Sequence, residues 1–371
     1  LLYEKYSKDS NEEIVIGMDA SLTLGEQGIA LAIKQGAEIA IDEINEQGGL
    51  LGKKLRLIVK DNKLSSLIGT KNIMSYIDNK NVVAILGGKY SSVVAEEIPL
   101  VQTNKIPFII PWAAAAENTE NGYDDNYVFR VSANDRYASR FLVDAALKKY
   151  KHPIVLVENS IWGRNNLAKM KDYLVKKGIS KPTTHIFNRG KIDYTQELTS
   201  IMKNNDSIIL VANAKESSVI IQNLVNQNKV LPIVSHWGIL GGTFFEDNKE
   251  VLKNLEFQFL QTFSFDDKNL KANELFKNYM KIYGVDSRNE IKVAVGIAQA
   301  YDSVHLLALA IKEANSTSRE KIKASLENLP SHLGAIKYYQ KAFNGKSHDA
   351  LDKSDYCISI FTGAGNIVPV K

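Results

Sequence analysis

Residues 28–62 read "GIALAIKQGAEIAIDEINEQGGLLGKKLRLIVKDN", and this stretch decides the fold. Its first part places Ile29, Ile33, Ala37, Ala40 and Ile44 on one face at helical spacing and stops at Gly48-Gly49. Its last part, "KLRLIVKD" (54–61), reads as a strand. Working outward, "EIVIGMD" (13–19), "VVAILGG" (82–88) and "IPFIIP" (106–111) are further strands, each separated by helical material. Strands that alternate with helices predict an α/β fold with a parallel sheet covered on both faces.

The pattern then restarts. "PIVLVEN" (153–159), "PTTHIFN" (182–188), "DSIILVAN" (206–213) and "LPIVSHW" (231–237) are strands at similar intervals, with helices such as "NNLAKMKDYLVKKG" and "ESSVIIQNLVNQN" between them. This is a weak structural repeat of two α/β units. Helices are expected at 268–283, 291–313 and 318–329, followed by a hairpin-like tail.

Totals agree with two units: 371 residues against a prior of about 150 per domain. Hydrophobic residues make up 44%, enough for real cores, and the net charge of +4 is too mild and too evenly spread to argue for nucleic acid. No apolar run approaches the ~18 residues that span a bilayer. The opening "LLYEKYSKDSNEE" reads as a trimmed start, so an export signal or membrane anchor is expected to have been removed or never to have existed. The single cysteine, Cys357, reads as a small buried apolar residue.

A search for catalytic motifs is largely negative. HExxH, CxxC and GxSxG do not occur, and six scattered histidines support no metal cluster. "NGKS" (344–347) has Gln340 where a phosphate-binding loop needs its first glycine. Three strand-to-helix turns draw attention instead, because ligands of open α/β sheets sit outside the carboxyl ends of the strands. In "GGKYSSVVAEE" (87–97), Gly87 and Gly88 would let the backbone turn sharply, and Ser91 or Ser92 would cap the next helix. Its hydroxyls, Tyr90 and the helix N-terminus suit a carboxylate; the plain alternative is a helix cap with no ligand. "PWAAAAENTE" (111–120) offers backbone groups around Ala113, Ala114 and Ala115, unless the alanines simply pack. "ENSIWGRNNL" (158–167) carries Trp162, which would close over a ligand or merely fill space.

Together these residues resemble the type I periplasmic ligand-binding proteins, in particular the branched-chain-amino-acid-binding group that feeds ABC transporters. Residues 36–62 carry the most specific likeness. "SSVVAEEIP", "IPFIIPWAAAAENT", "YVFRVSAND" and "NSIWGR" follow in the same order and spacing, so it covers residues 13–371. The resemblance implies two doubly wound, Rossmann-like lobes joined by three crossovers, with the ligand clamped between them and no catalysis, cofactor or metal. Lobe one would hold 1–132 and 264–330; lobe two would hold 133–263 and 331–371.

The resemblance also implies roles. Ser91, with Ser92, matches the serine that holds a ligand carboxylate. Ala113 and Ala115 flank a loop whose backbone binds carboxylate and ammonium; a threonine found there in relatives is absent. Trp162 matches an aromatic that covers the ligand. Asn213 and Lys215 lie on the next loop, and His236 and Trp237 on the one after, where amino-acid-binding relatives carry an acid. A buried ammonium without a counter-charge costs several kcal/mol, so either Asp19 replaces that acid or the ligand is not a free amino acid. All three tryptophans, Trp112, Trp162 and Trp237, fall on these loops. The expected ligand is therefore a small carboxylate with a flat or apolar body. The expected partner is an ABC permease, and the expected compartment periplasmic or extracellular, with a membrane anchor at a removed N-terminus as a further option. The alternative is the sensor ectodomain of a membrane-bound kinase or cyclase, partnered by signalling domains. An amide- or sugar-processing enzyme would need a base near Ser91.

Overall fold

The computed structural model of the chain describes residues 13–264 and 269–370. The opening stretch and residue 268, where a helix was expected to start, lie outside the described residues. Strands β1 (Glu13–Ala20), β2 (Lys54–Asp61), β3 (Val82–Leu86), β4 (Phe108–Ile110) and β5 (Val128–Arg130) form one parallel sheet in the order β2-β1-β3-β4-β5. In the second sheet, β6 (Pro153–Glu158), β7 (Thr183–Phe187), β8 (Ser207–Val211), β9 (Ile233–Ser235) and β10 (Phe257–Gln261) pair in parallel as β7-β6-β8-β9-β10. The two orders are the same, which is the repeat read from the sequence. After β10 in chain order come β11 (His332–Leu333) and β12 (Tyr338–Tyr339), a small antiparallel pair. The tail then adds β13 (Cys357–Phe361) and β14 (Ile367–Pro369) antiparallel at the edge beyond β10. β3, β6 and β8 are buried along their whole lengths, as strands covered on both faces must be.

The helices of the first half are α1 (Gln27–Glu46), α2 (Ser66–Asp78), α3 (Ser91–Thr103), α4 (Asp135–Leu147), α5 (Ile161–Lys176) and α6 (Thr195–Ile201). They are followed by α7 (Ala214–Asn226), α8 (Phe244–Leu252), α9 (Leu270–Tyr283), α10 (Ala294–Ala314) and α11 (Arg319–Leu326). α10 is long and apolar enough to cross a bilayer, contrary to the reading of the sequence. It is a core helix nonetheless, because 83% of its most apolar window is buried. It packs on α1 so closely that a Cβ on Gly36 would lie 2.1 Å from the Ile297 carbonyl oxygen, so only glycine fits at that crossing.

Chain passes between the two units follow β5, follow β10 and precede β13. Segment 331–350, expected with the second lobe, is tied to the first unit instead. Asp302 of α10 accepts hydrogen bonds from the Ala335 and Ile336 amides and the Tyr339 hydroxyl, and Arg130 of β5 pairs with Asp349 at 2.6 Å. The "NGKS" stretch is a tight turn closed by Asn344 and Ser347.

Candidate functional site

The carboxyl ends of β3, β4, β6 and β8 face one another across the two units and enclose a cavity of about 400 Å³, part of it open to solvent. Lys89, Tyr90, Ser91, Ser92, Trp112 and Ala114 line it from the first unit. Glu158, Ser160, Trp162, Arg189, Asn213, Trp237 and Gly238 line it from the second. Eight residues singled out from the sequence therefore meet here: Tyr90, Ser91, Ser92, Trp112, Ala114, Trp162, Asn213 and Trp237.

On the first unit the N-terminal end of α3 opens on the cavity. Tyr90 is its N-cap residue and no side chain caps it, so neither Ser91 nor Ser92 is the expected cap. Ser91 Oγ instead receives a long hydrogen bond, 3.4 Å, from the Ala115 amide. Neither Gly87 nor Gly88 has a positive φ. They make room: a Cβ on Gly87 would meet the Phe108 ring at 2.9 Å, and one on Gly88 the Asp19 carbonyl oxygen at 2.9 Å. Lys89 is buried and paired with Glu26. Burial alone would lower the Lys89 ammonium, but the Glu26 carboxylate outweighs it and holds the group above its ordinary value.

The alanine loop is committed to structure. Arg130, fully buried, donates to the Ala115 carbonyl at 2.8 Å, to the Ala113 carbonyl at 3.4 Å and to Thr119 Oγ1 at 2.8 Å. The Ala114 carbonyl accepts from the Asp135 amide at 2.9 Å. Ala113 and Ala115, expected to flank the ligand, consequently do not line the cavity, and only Ala114 does.

Two other expectations are corrected. Asp19 is fully buried beside α2 and α3, where its carboxylate accepts from Asn62 at 2.5 Å and Asn72 at 2.6 Å. It lies outside the cavity wall and cannot face a ligand ammonium there. His236 sits behind the wall. Its Nδ1 accepts the Trp237 amide at 2.9 Å, which leaves the Nε2 proton for Asp135 at 3.0 Å. Its ring meets Trp162 edge-on, with centroids 4.9 Å apart, so the histidine positions both tryptophans. Trp112 of the first unit and Trp237 of the second both line the cavity and stack on each other, with centroids 4.9 Å apart.

A lobe-two acid is present after all, at a position the reading of the sequence passed over. Glu158, the last residue of β6, is buried at the cavity wall. Asn213 donates to Glu158 Oε2 from its side chain at 2.8 Å and from its amide at 3.1 Å. Burial raises its pKa, only partly opposed by the Arg189 charge and by hydrogen bonds from Ser160 and Asn213. Its signal was in plain sight, as the first residue of the quoted "ENSIWGRNNL". Arg189 follows the end of β7 in the same manner. No group of three or more metal-ligating side chains occurs among the described residues.

Two α/β units face each other across a cleft lined by the strand ends of both, the architecture of a two-lobed binding module. A family model described as "Periplasmic binding protein" matches residues 13–350, and the chain belongs to this family. Among curated proteins the chain is 26% identical over 211 residues to glutamate receptor 3.4 of Arabidopsis thaliana, covering 56% of this chain and 20% of the receptor. It is 24% identical over 202 residues to the Leu/Ile/Val-binding protein BraC3 of Rhizobium johnstonii, covering 54% of each. The matches thus span a fifth and about half of these relatives' lengths.

Solved structures share the fold. A type 1 periplasmic binding protein of Bordetella pertussis superposes with a TM-score of 0.88 at 23% identity, over 96% of this chain and 100% of that one. The branched-chain amino acid transporter substrate-binding protein LivJ of Streptococcus pneumoniae, in complex with isoleucine, gives 0.80 at 21%, over 96% and 100%. An ABC-transporter solute-binding protein of Rhodopseudomonas palustris, in complex with benzoate, gives 0.79 at 16%, over 96% and 95%. Apart from the plant receptor, these relatives are binding proteins, and the family is non-enzymatic.

Proposed function

We propose that this protein clamps a small α-amino acid with a flat or apolar side chain for uptake through an ABC permease. Ser91, Ser92 and the N-terminal end of α3 would take the carboxylate. Glu158 would face the ammonium, and Trp112, Trp162 and Trp237 would enclose the side chain. The observation that carries the reading is Glu158: a buried carboxyl on the cavity wall opposite a carboxylate-favouring helix end. The matches to an isoleucine-bound and a benzoate-bound protein fit a carboxylate-bearing ligand. A simple aromatic carboxylate is the second reading, favoured by Arg189, whose charge already acts on Glu158.

Proton linkage separates the two. An ammonium prefers ionised Glu158, so amino-acid affinity should rise as pH climbs through its raised pKa, with proton release on binding below it. A ligand with no ammonium prefers the protonated acid, so its affinity should fall over the same range. Calorimetric titration of isoleucine, phenylalanine and benzoate from pH 5 to pH 8 reads the sign directly. Affinity for an amino acid that is flat with pH, and unchanged in Glu158→Gln, would remove Glu158 from the site. The sensor reading keeps one supporting observation, the match to a plant receptor over 56% of the chain. A full reading frame that continues into a signalling domain would decide for it.

A further inference from the structure

The two units also meet through glycines, main chain against main chain. Gly28 stands in the first turn of α1. A Cβ there would lie 3.0 Å from the Gly241 carbonyl oxygen of the second unit and 3.7 Å from its carbonyl carbon. From the opposite direction, a Cβ on Gly241 would lie 2.7 Å from Ile29 Cδ1, 2.9 Å from Glu26 Oε2 and 3.0 Å from Glu26 Cβ. Neither glycine has a positive φ, so backbone conformation does not call for glycine at either place. Space does, because a group added to a close-packed contact has to push something aside. At Gly28 what must move is the backbone of the other unit. Gly241 in turn closes the 3-10 helix Trp237–Gly241, whose five residues are all buried. The same segment opens with Trp237 and Gly238, which line the cleft. Trp237 stacks on Trp112 of the first unit, and Gly238 has no room for a side chain between the Ala212 carbonyl and the Trp162 ring. So short and enclosed a segment moves as one piece, and what Gly241 rests on fixes where Trp237 stands.

We infer that Gly28 and Gly241 are positioning residues of the clamp: their seam is the stop on which the two units shut, and its narrowness lets Trp237 reach Trp112. This rests on the clamp reading above and adds what sets the depth of closure. Glu26, beside the seam, supplies attraction by accepting the Ala214 amide across it; the glycines supply the space in which that bond forms. A side chain at Gly28 would hold the units apart whatever the ligand offers. The closed, binding-competent fraction would then shrink, and apparent affinity with it.

The test compares Gly28→Ala and Gly28→Val in the whole protein, with Gly363→Val as control, because a Cβ on Gly363 would meet nothing within 4 Å. All three tryptophans of the chain line the cleft, so intrinsic fluorescence reports on it alone. Without ligand, tryptophan emission should shift to the red and the radius of gyration should grow, slightly in Gly28→Ala and clearly in Gly28→Val. Apparent affinity for isoleucine should fall by about tenfold in Gly28→Val. Both replacements are better helix formers than glycine, so the far-ultraviolet circular dichroism of α1 and its neighbours should stay that of the wild type. Should the valine variant not fold, Gly28→Ala carries the same test at smaller amplitude. Gly363→Val should match the wild type throughout. Emission and radius unchanged in the folded Gly28 variants would overturn the seam. If both change as expected while isoleucine binds neither variant nor wild type, the seam stands and the choice of ligand falls.

Discussion

At the scale of single residues, chemistry here is decided by what each acid is buried against. Asp19 and Glu158 both end strands, and from sequence either could serve as the counter-charge. Two asparagines from distant positions absorb the Asp19 carboxylate, and no periodicity announces such partners. Beside it, Glu97 is fully buried, and in its protonated form it shares a hydrogen bond with the Asp19 carboxylate. Burial, and then the Asp19 charge, push its pKa well above the ordinary carboxylate range. The folded protein therefore holds a proton that the unfolded chain releases near pH 4.5. Its contribution to stability is complete below that pH and is lost as pH rises through the folded value. Glu97→Gln, which keeps the neutral shape, should match the wild type near pH 4 and be increasingly more stable toward pH 8. The gap should widen by at most about 1.4 kcal/mol per pH unit; melting curves across that range check it, and parallel curves would mean Glu97 is ionised. Ser91→Ala is expected to act differently. Because Ser91 does not cap α3, the melting point should hardly move while ligand affinity falls; a large stability loss would make the hydroxyl structural.

At the scale of elements, the sequence was most legible where period and punctuation agree. β2 falls on the predicted residues 54–61, and α1 ends just before its glycine pair. What holds the alanine loop was not legible because its partner lies far off in the chain: Asp349 holds Arg130, and Arg130 holds the loop's carbonyls. Such a buried pair is costly to break and cheaper to replace whole. Arg130→Met should cost about 3–5 kcal/mol by stranding Asp349. Adding Asp349→Leu should recover much of that loss in the same denaturation measurement. Failure of the double variant to recover would place the arginine's main value in the carbonyls of the ligand loop. Gly238 shows how tightly that cleft is built, since a Cβ there would lie 2.6 Å from the Ala212 carbonyl oxygen and 2.7 Å from the Trp162 ring. Sequence marks such a residue only as another glycine.

At the scale of the whole molecule, the doubled strand order was readable in advance, but the relation of the two units was not, because it rests on contacts between loops 49 to 189 residues apart. Glu26 is the centre of that relation. One carboxylate oxygen pairs with Lys89 of its own unit, while the other crosses to accept from the Ala214 amide at 2.5 Å and, more distantly, the Lys215 amide at 3.4 Å. These amides belong to the N-terminal end of α7, where a carboxylate is favoured by the helix dipole. The Trp112–Trp237 stack and the hydrogen bond from the Ala116 amide to Asn165 also cross the gap. The units therefore meet through the chain's own groups, and a ligand that touches both would draw on a closure already favoured. Glu26→Gln removes the charge from this latch and leaves its shape. The ligand-free variant should be more open, with a larger radius of gyration in small-angle scattering. Apparent affinity should fall in proportion to the lost closed fraction, by a few-fold if the charge contributes about 1 kcal/mol at the helix end. Saturating ligand should return the variant to the compact dimension of the wild type. An unchanged radius together with unchanged affinity would show that the stacked tryptophans, rather than Glu26, hold the units together.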